Sequence, residues 1–156
     1  MHTPQNILVP VSASAASMEA VLIASTLAKS RRGKVFLVHV IEVNRSLPLN
    51  AELESDARRG EQILRKAEAV ATQAGAEAIP TLVQAREAGA AIVEEAHDSA
   101  VDAVILGISF GEEGHAFRVG RTAEFVLNNA TCEVWVVRQS VAEHDSQHQE
   151  MKRQDV

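Results

Sequence analysis

Aromatic residues are nearly missing from this chain. They make up 3% of its 156 residues: four Phe, one Trp and no Tyr. Binding single-stranded nucleic acid by base stacking needs exposed aromatics, so that mode is excluded. Cationic residues are not in excess either. The formal net charge is −6, which gives no footprint for a nucleic-acid duplex. We expect no nucleic-acid partner. Cys132 is the only cysteine, which rules out an internal disulfide and fits a reducing compartment. No apolar run approaches the roughly 20 residues of a membrane span. The segment Met1–Asn6 has no basic stretch ahead of the first apolar run, so a secretory signal is not expected. The expectation is a cytoplasmic protein that is not membrane-inserted.

What remains is aliphatic. Hydrophobic residues are 46% and charged residues 23%, an ordinary globular balance, and the length suits one domain. With few rings available, the core must be Val, Ile, Leu and Ala, which suits a buried parallel sheet under Ala-rich helices. Ile7–Val11 reads as a first strand, with Pro10 near its end. Ser14 or Ser17 can cap the helix whose apolar spacing runs from Met18 to Arg31 and stops in cations and Gly33. Val35–Val43 reads as a central strand, and Asn44–Leu53 as a loop. Ser55–Ala74 reads as a helix, weakened by Gly60 and stopped by Gly75. Ala78–Val83 is a strand that Pro80 sends to a sheet edge. Glu87–Ser99 is a helix, Val101–Leu106 a strand, Gly120–Asn129 a helix and Glu133–Arg138 a fifth strand. Residues 140–156 are polar and without periodicity, and read as a flexible tail after a domain spanning 1–139. Strands alternating with helices imply a mostly parallel α/β sheet with helices on both faces.

In such sheets ligands bind beyond the carboxyl ends of the strands. The stretch Leu106–Leu127 is arranged for this. An apolar run ends on Gly107, a glycine-containing loop follows, and Gly120-Arg121-Thr122 opens a helix. Helix N-termini present free N–H groups and a positive dipole end, so this order suits a phosphate. The ends of strand 1 (Pro10, Val11, Ser12 to Ser14) and strand 2 (Val40 to Val43) meet the same region.

Several of these segments resemble the universal stress protein (UspA) family. They are Asn6–Val11, Leu37–Val43, Ala91–Gly107 and Gly120–Arg138, and the likeness extends from about Asn6 to Arg138. The resemblance implies a flavodoxin- or Rossmann-like three-layer sandwich with a five-stranded parallel sheet in the order 3-2-1-4-5. It also implies a regulatory or stress-response module, and ATP or another adenine nucleotide as ligand. The segments Ile41–Leu53 and Gly120–Leu127 look more like the stress-protein domains associated with bacterial amino-acid permeases, which implies a transporter partner. The family's ATP-binding branch carries a glycine, two residues, a glycine, nine residues, then glycine and Ser/Thr. Gly107 matches the first glycine and Gly120 the third. The second falls on Phe110, with Gly111 one place later. The Ser/Thr falls on Arg121, with Thr122 next. The acidic residue that meets the nucleotide sugar falls on Ser12, followed by Ala13 and Ser14. Val40 matches the position whose backbone meets adenine.

The ligand-binding set implied is therefore Pro10, Val11, Ser12, Ser14, Val40, Gly107, Gly111, Gly120, Arg121 and Thr122, on a degenerate ATP motif. A guanidinium at a helix N-terminus is disfavoured by about 0.3–1 kcal/mol unless an anion lies between. Arg121 therefore either serves an anion, with Arg118 and Thr122, or points to solvent or pairs with Glu124. No catalytic residue stands out. Glu112, Glu113 and His115 lack a nucleophile at a supporting spacing. His39 reads as a hydrogen-bonded core or strand-end histidine, and Cys132 as a packed residue rather than a reactive thiol. His144 and His148, in the polar tail, read as solvated, and no metal is expected. Val134–Val137 would be an edge strand. Either a second copy pairs with it, making a homodimer with Trp135 as anchor, or the tail covers it. Without a nucleotide, the alternative is a homodimeric accessory domain of a transporter.

Overall fold

A computed structural model describes residues 3–109, 119–140 and 149–154. In chain order the elements are β1 (Ile7–Pro10), α1 (Ala15–Ser30), β2 (Lys34–Glu42), α2 (Glu54–Gln73) and β3 (Glu77–Ala85). They continue with α3 (Ala88–Asp98), β4 (Ala103–Ile108), α4 (Arg121–Asn129) and β5 (Glu133–Arg138). All strand pairs are parallel, as the alternation implied, and the order is β3-β2-β1-β4-β5, as the family resemblance implied. Pro80 lies on edge strand β3, as expected for a residue without an N–H. Residues 149–154, read from sequence as aperiodic tail, are helical and exposed.

Successive strand residues face opposite sides of a sheet, so a parallel sheet covered on both faces needs apolar residues at every position. Ile7, Val9, Val35, Leu37 and Ile105 form one core with Ala20, Val21, Ala24 and Ala28 of α1 and Ile63, Leu64, Ala67 and Ala71 of α2. Leu8, Val38, Val104 and Leu106 form the other with Ile92 and Ala96 of α3 and Val126 of α4. This is the expected three-layer sandwich. Ala16, Ala20, Ala24 and Ala28 are all fully buried, so α1 presents a flat stripe to the sheet and packs close.

Helix ends depart from the apolar pattern for local reasons. Helix α1 starts at Ala15, not Met18, because the Ser14 side chain caps it, accepting from the Ser17 N–H at 3.2 Å. Ser17 itself is buried inside the first turn. At the other end Arg32, not Gly33, takes the left-handed conformation (φ 55°), while the Gly33 N–H reaches back to the Ala28 carbonyl at 2.8 Å. Helix α3 repeats this turn with Ala100 at φ 50°, and the Val101 N–H bonds the Ala96 carbonyl at 3.2 Å.

That turn delays the next strand. The sequence suggests Val101–Leu106, but β4 runs Ala103–Ile108. Val101 closes the α3 turn, and the Asp102 carboxylate accepts from the backbone N–H groups of Gln5 (3.0 Å) and Asn6 (2.9 Å), tying the strand's entry to the chain ahead of β1. Gly107 therefore lies within β4 rather than at the start of the loop.

Candidate functional site

The carboxyl ends of β1, β2 and β4 meet under the N-termini of α3 and α4. They enclose a cavity of about 430 Å³. Its walls are Pro10, Val11 and Ser12 after β1, Val38, His39 and Val40 on β2, and Leu106–Ser109 on β4. Ala88 and Ile92 of α3, with Gly120, Thr122 and Ala123 at the start of α4, complete it. Val38, Val40, Ile92, Leu106 and Ile108 make one part apolar. Hydroxyls come from Ser12, Ser109 and Thr122. Among the described residues, none that lines the cavity is charged.

The α4 end is built to donate. The first intrahelical bond there runs from the Glu124 N–H to the Gly120 carbonyl, 2.9 Å. The N–H groups of Arg121, Thr122 and Ala123 thus precede the helix ladder, and Gly120 supplies no side-chain cap. Gly120 has ordinary extended backbone (φ −69°, ψ 166°), and a Cβ built on it would meet nothing within 4 Å. Among the described residues, neither conformation nor packing requires a glycine here. Gly107 is the opposite case. Its missing Cβ is demanded by the backbone of Ala16 and Ser17 in α1, so this glycine serves helix packing.

The β1 end is a closed set of serines. The Ser12 N–H donates to Ser17 Oγ (2.9 Å), Ser17 Oγ donates to the Pro10 carbonyl (3.5 Å), and Ser12 Oγ lies 3.0 Å from Ser14 Oγ. Beside it, His39 Nδ1 lies 2.8 Å from the Val11 carbonyl. A carbonyl can only accept, so Nδ1 carries the proton of this bond. The hydrogen-bonded histidine expected from sequence is found, within β2, and it also lines the cavity.

Of the residues expected at the site, Pro10, Val11, Ser12, Val40, Gly107, Gly120 and Thr122 come together on the cavity. Ser14 does not line it; its side chain caps α1 and bonds Ser12. Arg121 lines a neighbouring cleft of about 130 Å³ with Glu42, Glu87 and Phe125, joined to the cavity through Ala88 and Thr122. Arg121 forms no ion pair among the described residues, with Glu124 or otherwise. Phe110, Gly111, Glu112, Glu113, His115, Arg118, His144 and His148 lie outside the described residues. The α3 wall, Ala88 and Ile92, had no sign in any loop motif. Its signal was that the first turn of each crossover helix sits at the carboxyl end of the preceding strand. No group of acids, histidines and cysteine suited to a metal occurs among the described residues. Cys132 packs against the α3/α4 core, and burial pushes its thiol up, as suits a packed residue.

No helix among the described residues is long and apolar enough to cross a membrane. A universal stress protein of Methanocaldococcus jannaschii is 28% identical over 141 residues, covering 86% of this chain and 82% of that one. The structure of the universal stress protein from Archaeoglobus fulgidus in complex with dAMP superposes with a TM-score of 0.69 at 20% identity, covering 86% of this chain and 98% of that one. A universal stress protein crystallised in complex with cAMP gives 0.68 at 22% identity, over 89% and 100% of the two chains. The model of the universal stress protein family matches residues 4–138, and the chain belongs to that family.

Proposed function

We propose that this chain is a non-enzymatic regulatory module that binds an adenine nucleotide in the cavity over β1, β2 and β4. The observation that carries this reading is the uncapped start of α4, which opens onto a cavity whose other part is apolar. An apolar wall suits a base, and three free N–H groups with the Thr122 hydroxyl suit a phosphate. Arg121 stands one cleft away, within reach of a longer phosphate chain. Relatives of the same fold that were solved with dAMP and cAMP support the ligand class. Calorimetric titration of the full-length protein with AMP and ATP tests it. Saturable binding is expected, with a thermal stabilisation of about 2.7 kcal/mol at 100 times the dissociation constant. Absence of heat and of any thermal shift with both nucleotides overturns the reading.

The module works in the cytoplasm as a homodimer through β5. That strand is a sheet edge, and Val136 on it is 42% exposed. The indole of Trp135 is already used inside the protomer. It packs against the α1/α2 core, and its Nε1 donates to Glu133 Oε1 at 2.6 Å. Val136 is the exposed large apolar residue of this strand, beside the half-buried Trp135. The same edge favours a second reading, a homodimeric accessory domain of an amino-acid permease that needs no nucleotide. The titration separates the two.

A further inference from the structure

We propose that the groove between α3, the end of β3 and the loop 44–53 docks a basic, amphipathic segment of a partner protein. The groove measures about 480 Å³ and shares no lining residue with the cavity over β1, β2 and β4, so it stands apart from the nucleotide reading. Its origin is architectural. On one face of the sheet α2 packs over both β2 and β3, but on the other α3 packs over β2 and against α4. Val83 and Ala85, at the end of β3, are left half-buried at the flank of α3. A segment laid in the groove completes this helix layer.

The opposite wall is a loop already held in place. Gln84 Nε2 donates to the carbonyls of Leu49 (2.9 Å) and Ala51 (3.1 Å), and Arg86 Nη1 donates to those of Asn44 (2.7 Å) and Leu47 (2.8 Å). Leu49 lines the groove from this loop and is 49% exposed. Because its backbone is fixed, an apolar side chain can dock against it at little cost in ordering.

The charge of the groove selects the partner. Glu87, Ala91, Glu94 and Asp98 follow at spacings of three or four residues and share one face of α3, with Glu95 beside them. Against these four carboxylates the groove holds two guanidiniums, those of Arg45 and Arg86. Arg86 is engaged by the loop, and Arg45 stands 3.7 Å from Glu87. Among the described residues no cation pairs with Glu94, Glu95 or Asp98. All three lie in the C-terminal half of α3, where the helix dipole favours cations, and Glu94 and Asp98 are like charges four residues apart. Lysines of a partner relieve both conflicts, with their aliphatic stems on Ala90 and Ala91 and their ammonium groups at the carboxylates.

The test is fluorescence anisotropy of a labelled amphipathic Lys/Leu peptide titrated with the full-length protein at about 0.15 M salt, where distant surface charges are screened. Saturable binding is expected, and a matched Glu/Leu peptide should bind about tenfold or more weakly. Glu94→Lys combined with Asp98→Lys should weaken the Lys/Leu peptide by about tenfold or more, and Leu49→Ser by about threefold or more. Glu61→Lys combined with Glu77→Lys makes the same change of net charge outside the groove and should cost less than about threefold. The substituted side chains are all exposed, and melting curves confirm that the variants fold. Equal losses in the two charge-reversed proteins mean an unlocalised attraction and overturn the proposal. So do equal binding of both peptides, full affinity in Leu49→Ser, or no saturable binding. Light scattering of the protein alone tests a second copy as occupant. A mass unchanged by Glu94→Lys with Asp98→Lys is expected, and a mass that falls overturns the proposal.

Discussion

A Cβ on Gly107 would lie 2.5 Å from the carbonyl carbon of Ala16 and closer still to its oxygen. Both atoms are backbone, and Ala16 is fully buried in the stripe that seats α1 on the sheet. No side-chain rotation relieves the overlap. Gly107→Ala must push α1 off β4 or distort the strand. We expect a loss of about 2–3 kcal/mol or more, the range of overpacked cores. Urea denaturation without ligand checks it. A stability within experimental error of wild type would return Gly107 to a role in ligand approach alone.

Gly120 should behave in the reverse way. Threonine fits its extended backbone and ranks near glycine as an N-cap, so Gly120→Thr should change stability by less than about 0.5 kcal/mol. The new side chain stands at the wall of the cavity, so nucleotide affinity should fall by about tenfold or more, some 1.4 kcal/mol. Thermal melting and titration of the same preparation read the two effects. A variant that binds as wild type does would place the ligand elsewhere.

These two glycines show what the sequence made legible. Their spacing marks both as motif residues, yet one serves α1 and the other the cavity. The difference lies in what crosses above them, which depends on contacts between residues distant in the chain. The parallel sheet and its two core faces were readable, because β-branched runs such as Val35–Val43 alternate with Ala-rich helical spacing, while the strand order came from the family resemblance. The β1 and β4 walls followed from where apolar runs end. The α3 wall did not, since Ala88 and Ile92 look like any helix face until the crossover places them over the cavity. Arg121 reads as an anion ligand from its place after Gly120, but its position in the α4 turn sets it in the adjoining cleft beside Glu42 and Glu87.

Two helix ends carry a cost that can be removed. Arg32 and Ala100 hold φ values of 55° and 50°, where a side chain is disfavoured. Glycine relieves that strain and gives back part of the gain as chain entropy in the unfolded state. Arg32→Gly and Ala100→Gly should each stabilise by about 0.5–1 kcal/mol. The two sites lie at the ends of different helices, so the effects should add in the double variant. A drop in melting temperature for either would show that its side chain makes a compensating interaction.

Val136 tests the dimer. A glutamate there puts two like charges together if the β5 edges of two copies pair, and leaves an isolated protomer intact because the position is 42% exposed. Light scattering at micromolar concentration should give a dimer mass for wild type and a monomer mass for Val136→Glu. A monomeric wild type, or a variant that stays dimeric, removes β5 as the interface.

Gly60 sets helix propensity against the site. It lies buried in α2, and a Cβ there would come 2.7 Å from Leu82 Cδ1 and 2.8 Å from His39 Cδ2. Alanine in a helix interior gains about 1 kcal/mol over glycine. Displacing the His39 ring endangers its 2.8 Å bond to the Val11 carbonyl, worth about 1 kcal/mol net. The two terms nearly cancel, so the melting temperature of Gly60→Ala should stay within a few degrees of wild type. The cavity does not share in the cancellation. His39 and Val11 both line it, so nucleotide affinity should fall several-fold while stability holds. An NMR titration following the His39 ring checks the cause. If affinity drops while that ring keeps its wild-type shifts, the effect runs through Leu82 and β3 instead.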